Sequence, residues 1–265
     1  MNYLKEKLEN IYSTYNRLEY INPDPLTFLH EYPEKKNREI VGLIAACFAY
    51  GRVEMIMKTI ESILDKLLPT PFEYLMIKEK RDMIRDFKGF RHRFAKDTDL
   101  ISLLWGIRTV IDNFSSLENC FRTGWTREDE TVLPGLIVLY EQLCDQANKE
   151  KTIGHLLPDP RKKSACKRSH LFLRWMVRRD LVDPGGWEKV SPSQLLVPLD
   201  THMYKTGIML GFTKRKSKDL KTAIEITQGF KRLLNEDPVK YDFCLTRFGI
   251  RNGMSMDQLK EVVCC

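Results

Sequence analysis

A lysine and an aspartate, each at the start of a helix-forming run, are the residues of this sequence best placed to do chemistry. Lys167 follows Pro158, Asp159, Pro160, Arg161, Lys162, Lys163, Ser164, Ala165 and Cys166. The two prolines hold this stretch out of helix, and Ser164 reads as the N-cap of the run behind it. Lys167 then falls in the first turn, where free amide N–H groups and the helix dipole create positive potential. Positive potential and burial both disfavour an ammonium, so a lysine there is a candidate amine nucleophile near neutral pH. Asp200 opens the second run, Val197-Pro198-Leu199-Asp200-Thr201-His202, and reads as its N-cap. A carboxylate held by amides stays ionised and can stabilise a developing cation. Spacing alone leaves a blander pair of readings open, a surface lysine and a helix cap.

The elements that must position this pair are helical. Leu4, Leu8, Ile11, Tyr12 and Tyr15 share one face of an opening helix, and residues 40–49 are apolar nearly all round, as a central buried helix is. The spacing predicts further helices over 53–67, 100–110, 133–147, 164–179, 201–210, 220–234 and 238–248. No run alternates with period two for long, so the expected fold class is all-α. Residues 181–198 form the most irregular stretch, and Trp187 within it is expected to pack down.

The chain has 265 residues, 43% hydrophobic, which suffices for a sizeable core. No stretch approaches the ~20 apolar residues of a membrane span. The opening residues are amphipathic and carry acid, unlike a secretory leader, and the expected location is cytoplasmic, nucleoid-associated in a bacterium. Seven scattered cysteines argue against a disulfide framework, the adjacent Cys264 and Cys265 read as exposed terminal thiols, and no Cys/His cluster has metal spacing. The net charge of +7 is uneven. Nine Lys/Arg oppose three acids over residues 161–189, and six oppose Asp219 alone over 201–221. A basic half of this kind fits a polyanionic partner.

Val197-Pro198-Leu199-Asp200-Thr201-His202-Met203-Tyr204-Lys205, followed by Leu210-Gly211, resembles a signature of the helix-hairpin-helix DNA glycosylase superfamily. Lys167-Arg168-Ser169-His170-Leu171-Phe172-Leu173-Arg174 resembles the run after the hairpin in microbial 8-oxoguanine glycosylases, and residues 43–52 resemble the buried helix ending at the wedge loop. The chain is also similar to a bacterial family of conserved hypothetical proteins with Leu-Phe-Leu-Arg-Trp-Met-Val-Arg and Pro-Leu-Asp-Thr-His blocks. Two departures stand out: no glycine lies between Pro158 and Lys167, and the superfamily's four-cysteine iron–sulfur site has no counterpart. No metal or cofactor is therefore expected.

The resemblance implies a two-lobed helical glycosylase-like unit with a cleft between lobes. One lobe would cover about 36–170, and the other about 1–35 with 171–265. It implies double-stranded DNA containing a damaged base as partner, with an oxidised purine such as 8-oxoguanine excised by base flipping. Lys167 would attack the sugar C1′ and Asp200 would stabilise the oxocarbenium-like sugar. Tyr50, Gly51 and Arg52 would sit at the wedge, since a flipped base leaves a gap to be filled. Arg161, Lys162, Lys163, Ser164 and Lys205 would hold DNA, and His202 would orient Asp200. A non-catalytic nucleic-acid-binding module and a monofunctional glycosylase that activates water are the rival readings. Other candidates read as structural. Asp99, Glu118 and residues 127–130 fit solvated faces and caps, and His155, His170 and His202 fit packed helix starts. The segment Gly89-Phe90-Arg91-His92-Arg93-Phe94 reads either as a basic stacking platform or as a helix–helix connection with core phenylalanines.

Overall fold

Helical periodicity becomes helix almost everywhere in the computed structural model, which describes residues 2–145, 153, 156–251 and 253–264. His155, Cys265 and the end of the helix expected to reach residue 147 lie outside the described residues. The fold is all-α, and the strands found are a two-residue antiparallel pair, β1 (Arg91–His92) and β2 (Ala95–Lys96). No helix among the described residues is long and apolar enough to cross a membrane.

The chain divides into two compact units, Pro23–Lys162 and Met1–Asn22 with Lys163–Cys265, the latter holding α1 (Asn2–Tyr15). Both boundaries depart from the expected positions near residues 36 and 170. On one side, α2 (Thr27–His30) packs on α3 (Lys35–Phe48). On the other, the buried Arg174 of the Lys167 helix pairs with later residues of the chain, described below.

In the unit Pro23–Lys162, α3 is central, with Ile40, Val41, Leu43, Ile44 and Phe48 each at most 1% exposed. Against it lie α4 (Val53–Leu64) and α5 (Pro71–Ile77). After α6 (Lys80–Asp86) and the hairpin come α7 (Asp97–Phe114), α8 (Leu117–Thr123) and α9 (Leu133–Asp145). Seven-residue helices are marginal by propensity, and α3 supplies what two of them need. Asn37 Oδ1 accepts from Phe72 N (2.9 Å) at the start of α5. The buried Glu39 carboxylate accepts from Leu117 N and Glu118 N (3.1 and 3.4 Å) at the start of α8, where a negative charge meets the positive helix end. Glu118, expected on a solvated face, is itself buried and pairs with Lys35. Gly106 lets α7 approach α9, since a Cβ there would stand 2.4 Å from the Leu143 carbonyl oxygen.

The second unit is built from α1, α10 (Lys167–Val177), α11 (Thr201–Met209), α12 (Leu220–Lys231), α13 (Asp242–Ile250) and α14 (Met256–Cys264). Its core holds Phe172, Trp175, Trp187, Phe230, Tyr241 and Phe243. Trp187 packs down as expected, edge-on to Phe172 at 5.3 Å. The irregular stretch is tied to the end of α10 by Gly185 N to Trp175 O and Trp187 N to Met176 O.

Beneath that stretch lies a buried ionic cluster. Arg174 reaches Asp183 (3.1 Å) and Asp242 (2.5 Å), while Arg178 reaches Asp180, Asp183 and Asp237. Tyr12 of α1 donates to Asp180 at 2.9 Å. Two cations of the basic stretch 161–189 are thus spent internally rather than presented to a partner. Removing water from such charges is costly, so their mutual pairing is what makes the arrangement tolerable.

Candidate functional site

The start of α10 is set by the chain that leads into it. Ser164 forms an antiparallel bridge with Asp219, and Leu220 N donates to Lys163 O (3.1 Å), which lays residues 163–164 along the entry to α12. The cap is Cys166 and not Ser164 as expected. Ser164 Oγ accepts from Cys166 N at 3.2 Å, and Cys166 turns into the left-handed region at φ 44°, ψ 40°. That left-handed conformation carries some steric cost in a residue with a Cβ. Lys167 follows as the first helical residue, half-buried, in a first turn that contains no acid. It makes no ion pair among the described residues.

Asp200 caps α11 as expected, its Oδ1 accepting from Met203 N at 2.7 Å from an extended backbone (φ −102°, ψ −171°). Beside it, Lys218 Nζ donates to Thr201 Oγ1 (3.2 Å) and lies 5.4 Å from the centre of the Tyr204 ring. The Tyr204 hydroxyl donates to Arg215 O, and Arg215 in turn pairs with Asp219 (2.7 Å). The segment 213–219 is thereby pinned between the start of α11 and residues 163–164 before α10.

An ion pair that the sequence did not single out ties α10 to α13. Lys167, His170 and Arg174 recur at i, i+3 and i+7 along one side of α10. Arg174 binds Asp242 Oδ2, at the first position of α13, whose Oδ1 has no hydrogen-bond partner. Burial pushes the Asp242 carboxyl up to about 6 against the pull of Arg174, with repulsion from Asp200 and Asp183 adding to the rise. Asp200 therefore lies within electrostatic reach of the Asp242–Arg174 pair. His170 is fully enclosed with neither ring nitrogen bonded, and burial lowers its pKa to about 4. It is a neutral imidazole.

His202 does not orient Asp200: it makes no hydrogen bond, and its ring lies flat against α13, where a Cβ on Gly249 would be 1.8 Å from Nδ1. Lys163, Ser164 and Lys205 are exposed in the same unit as Lys167 and Asp200. Arg161 and Lys162 end the other unit. Arg161 there is occupied by Asp159 (2.9 Å) and Glu141 (2.8 Å), which leaves Lys162 as the exposed cation without an ion pair.

The wedge candidates also lie in the unit Pro23–Lys162. Tyr50 is half-buried and held in place: its hydroxyl donates to His92 O, and its own carbonyl contacts His92 Nε2, both at 3.1 Å. His92 Nδ1 is anchored to Thr59 at 2.8 Å. Gly51 takes φ +109°, a conformation that favours glycine, and Arg52 is exposed. The segment 89–94 joins α6 to α7 through a hairpin. Phe90 packs on Phe48 (5.6 Å), whereas Phe94 is 72% exposed at the turn, under the Arg93 guanidinium (5.5 Å). Arg93 also borders Gly51, so a Cβ there would come within 3.0 Å of it. Sequence alone could not separate the two phenylalanines, because the turn between them decides which faces water.

Among the described residues no three His, Cys, Asp or Glu side chains converge as metal ligands would. Cys47, Cys120, Cys144, Cys166 and Cys244 are in no disulfide.

No curated protein and no solved structure matches the chain. Residues 24–251 match a family described as a protein of unknown function, DUF2400. That span takes in the hairpin, both helix starts and Asp242, and the chain belongs to the DUF2400 family.

Proposed function

We propose that the protein is a DNA N-glycosylase with AP-lyase activity that excises a damaged base, an oxidised purine such as 8-oxoguanine, from duplex DNA. The observation that carries this reading is the pairing of two helix starts within one unit. An amine without a carboxylate partner among the described residues heads α10, and an amide-held carboxylate heads α11 of the same unit. The division into one continuous unit and one built from both ends of the chain fits a two-lobed glycosylase.

In this chemistry the Lys167 amine attacks C1′ of the sugar. The N-glycosidic bond breaks with its electron pair going to the base, which takes up a proton as it departs. Opening of the sugar leaves an imine between Lys167 and C1′, from which the strand is cut by elimination of the 3′ phosphate. Asp200 faces the positive charge that grows on the sugar while the bond breaks. Hydrogen bonding from Met203 N fixes its carboxylate. Arg52 and Phe94 are the exposed side chains around Gly51 that suit filling the gap left by an extruded base.

Borohydride added to the protein with an 8-oxoguanine duplex should trap a covalent adduct, and Lys167→Ala should abolish it. Asp200→Asn keeps a capping side chain, so it should lose excision while its melting temperature stays close to that of the parent. Duplex binding with no adduct and no cleavage across a panel of lesions would overturn the catalytic reading in favour of a binding module. Excision that dies in Asp200→Asn but merely slows in Lys167→Gln would instead assign water as the nucleophile.

A further inference from the structure

The unit that carries Lys167 and Asp200 also has a groove of about 520 Å³ away from either residue. One wall is the outer side of α11, with Tyr204, Lys205, Ile208 and Met209. The other is the segment 214–216 and the start of α14, with Met256, Asp257 and Lys260. Its floor is apolar. Ile208 is 42% exposed there, and Met209 and Met256 line the groove with it. Its rim is cationic. Lys205, Lys214, Lys216 and Lys260 are exposed and make no ion pair among the described residues, whereas Arg215 is occupied by Asp219.

We infer that this groove binds an unpaired segment of the nucleic-acid strand, with phosphates on the four lysines and a base or sugar against Ile208, Met209 and Met256. The chemistry of the lining selects this occupant. A duplex presents phosphates and sugars but hides its base faces, so it would satisfy the rim and leave the floor wet. An unpaired strand offers both a charged backbone and apolar base faces, the combination for which single-strand grooves are built. The groove is also continuous with the candidate site in the chain. The segment that supplies Lys214 and Lys216 ends at Lys218 on Thr201, next to Asp200, and α11 itself forms the wall. An anionic strand seated on this rim is led toward the start of α11. The inference rests on the nucleic-acid partner proposed above but not on its bond-breaking step.

Anisotropy of a short fluorescein-labelled deoxythymidine oligomer, titrated with the full chain over a range of KCl concentrations, tests it. Four phosphates on four lysines contribute about 0.7 each to the slope of log K against log salt, so replacing all four with Gln should flatten the slope by roughly 3. The fourfold Arg variant should keep the parent slope. Met209→Ser with Met256→Ser should weaken binding several-fold at an unchanged slope, because the floor contacts carry no charge. All these positions are at least partly exposed, and unchanged thermal melts will show that the variants fold. Lys167→Ala should retain the slope while losing the borohydride adduct, which separates failure of the groove from failure of the chemistry. An unaltered slope in the Gln variant, or no binding of the oligomer by the parent protein, would overturn the inference. Displacement of the oligomer by polyglutamate as readily as by unlabelled oligomer would do the same and assign the groove to an acidic protein segment.

Discussion

Two buried groups in the same unit titrate in overlapping windows with opposite effects on stability, and separating them is a stringent test of the interior described above. His170 is 1% exposed, and its pKa falls from 6.5 to about 4 because burial penalises the imidazolium. Below its ordinary value the unfolded chain takes up a proton that the folded chain refuses, so stability drops as the pH falls from 6.5 toward 4. Asp242 is 3% exposed and moves the other way, from 3.8 to about 6. The folded chain then binds a proton that the unfolded chain does not, so stability rises as the pH falls from 6 toward 3.8. The cause is visible in the cluster. Burial of the carboxyl penalises its charged form, Arg174 opposes the rise, and repulsion from Asp200 and Asp183 adds to it. Between about pH 7 and about pH 4.5, linkage assigns a loss of roughly 2 to 3 kcal/mol to His170 and a gain of about 2 kcal/mol to Asp242. The two nearly cancel in the parent protein. Urea unfolding at those two pH values should therefore split the variants. His170→Leu should gain about 2 kcal/mol relative to the parent on acidification, and Asp242→Asn should lose a similar amount. If both variants follow the parent's pH dependence, either these groups are hydrated or the cluster carries its charge differently, and the reasoning fails.

Other positions give equally direct expectations. Gly249→Ala drives a methyl into the His202 ring and should cost about 1 to 3 kcal/mol by overpacking. In a His202→Ala background the same change should become neutral or stabilise by up to about 1 kcal/mol, since alanine outperforms glycine within a helix; a double-mutant cycle from urea melts reads this sign change. Arg178→Met leaves Asp180, Asp183 and Asp237 without their shared cation and should cost about 3 to 5 kcal/mol, whereas Tyr12→Phe at the edge of the cluster should cost about 1 kcal/mol or slightly more.

Much of the fold was legible because long helices repeat their apolar spacing often enough to be read. α3, α4, α7 and α9 lie close to their expected spans. α5, α6 and α8 have seven residues each, hence two turns and too few apolar positions to stand out. Their stability comes from elsewhere, as with Asn37 and Glu39 reaching across from α3, and a partner 35 or 78 residues away leaves no local trace. The helix expected from residue 238 begins instead at Asp242, after turns closed by Lys240 N on Asp237 O and Asp242 N on Val239 O. The boundaries between units were misplaced for a related reason. Arg174 and Arg178 read as surface charge in a basic stretch, whereas their burial against later aspartates ties α10 to the C-terminal part of the chain.

The candidate site was legible to the extent that its chemistry is local. A capping aspartate is a local device: an acid ahead of a helical run can bond the third amide wherever the run ends up, and Asp200 does so. Lys167 was placed correctly in the first turn although its cap was not, because the turn at Cys166 relies on a left-handed residue that no side-chain rule announces. Asp242 could not be read at all. Its role depends on being enclosed 68 residues from Arg174 and within the field of Asp200. Arg174 and Asp242 join α10 to α13 in a buried ion pair whose desolvation cost leucine or phenylalanine would avoid, and α13 in turn packs on α11.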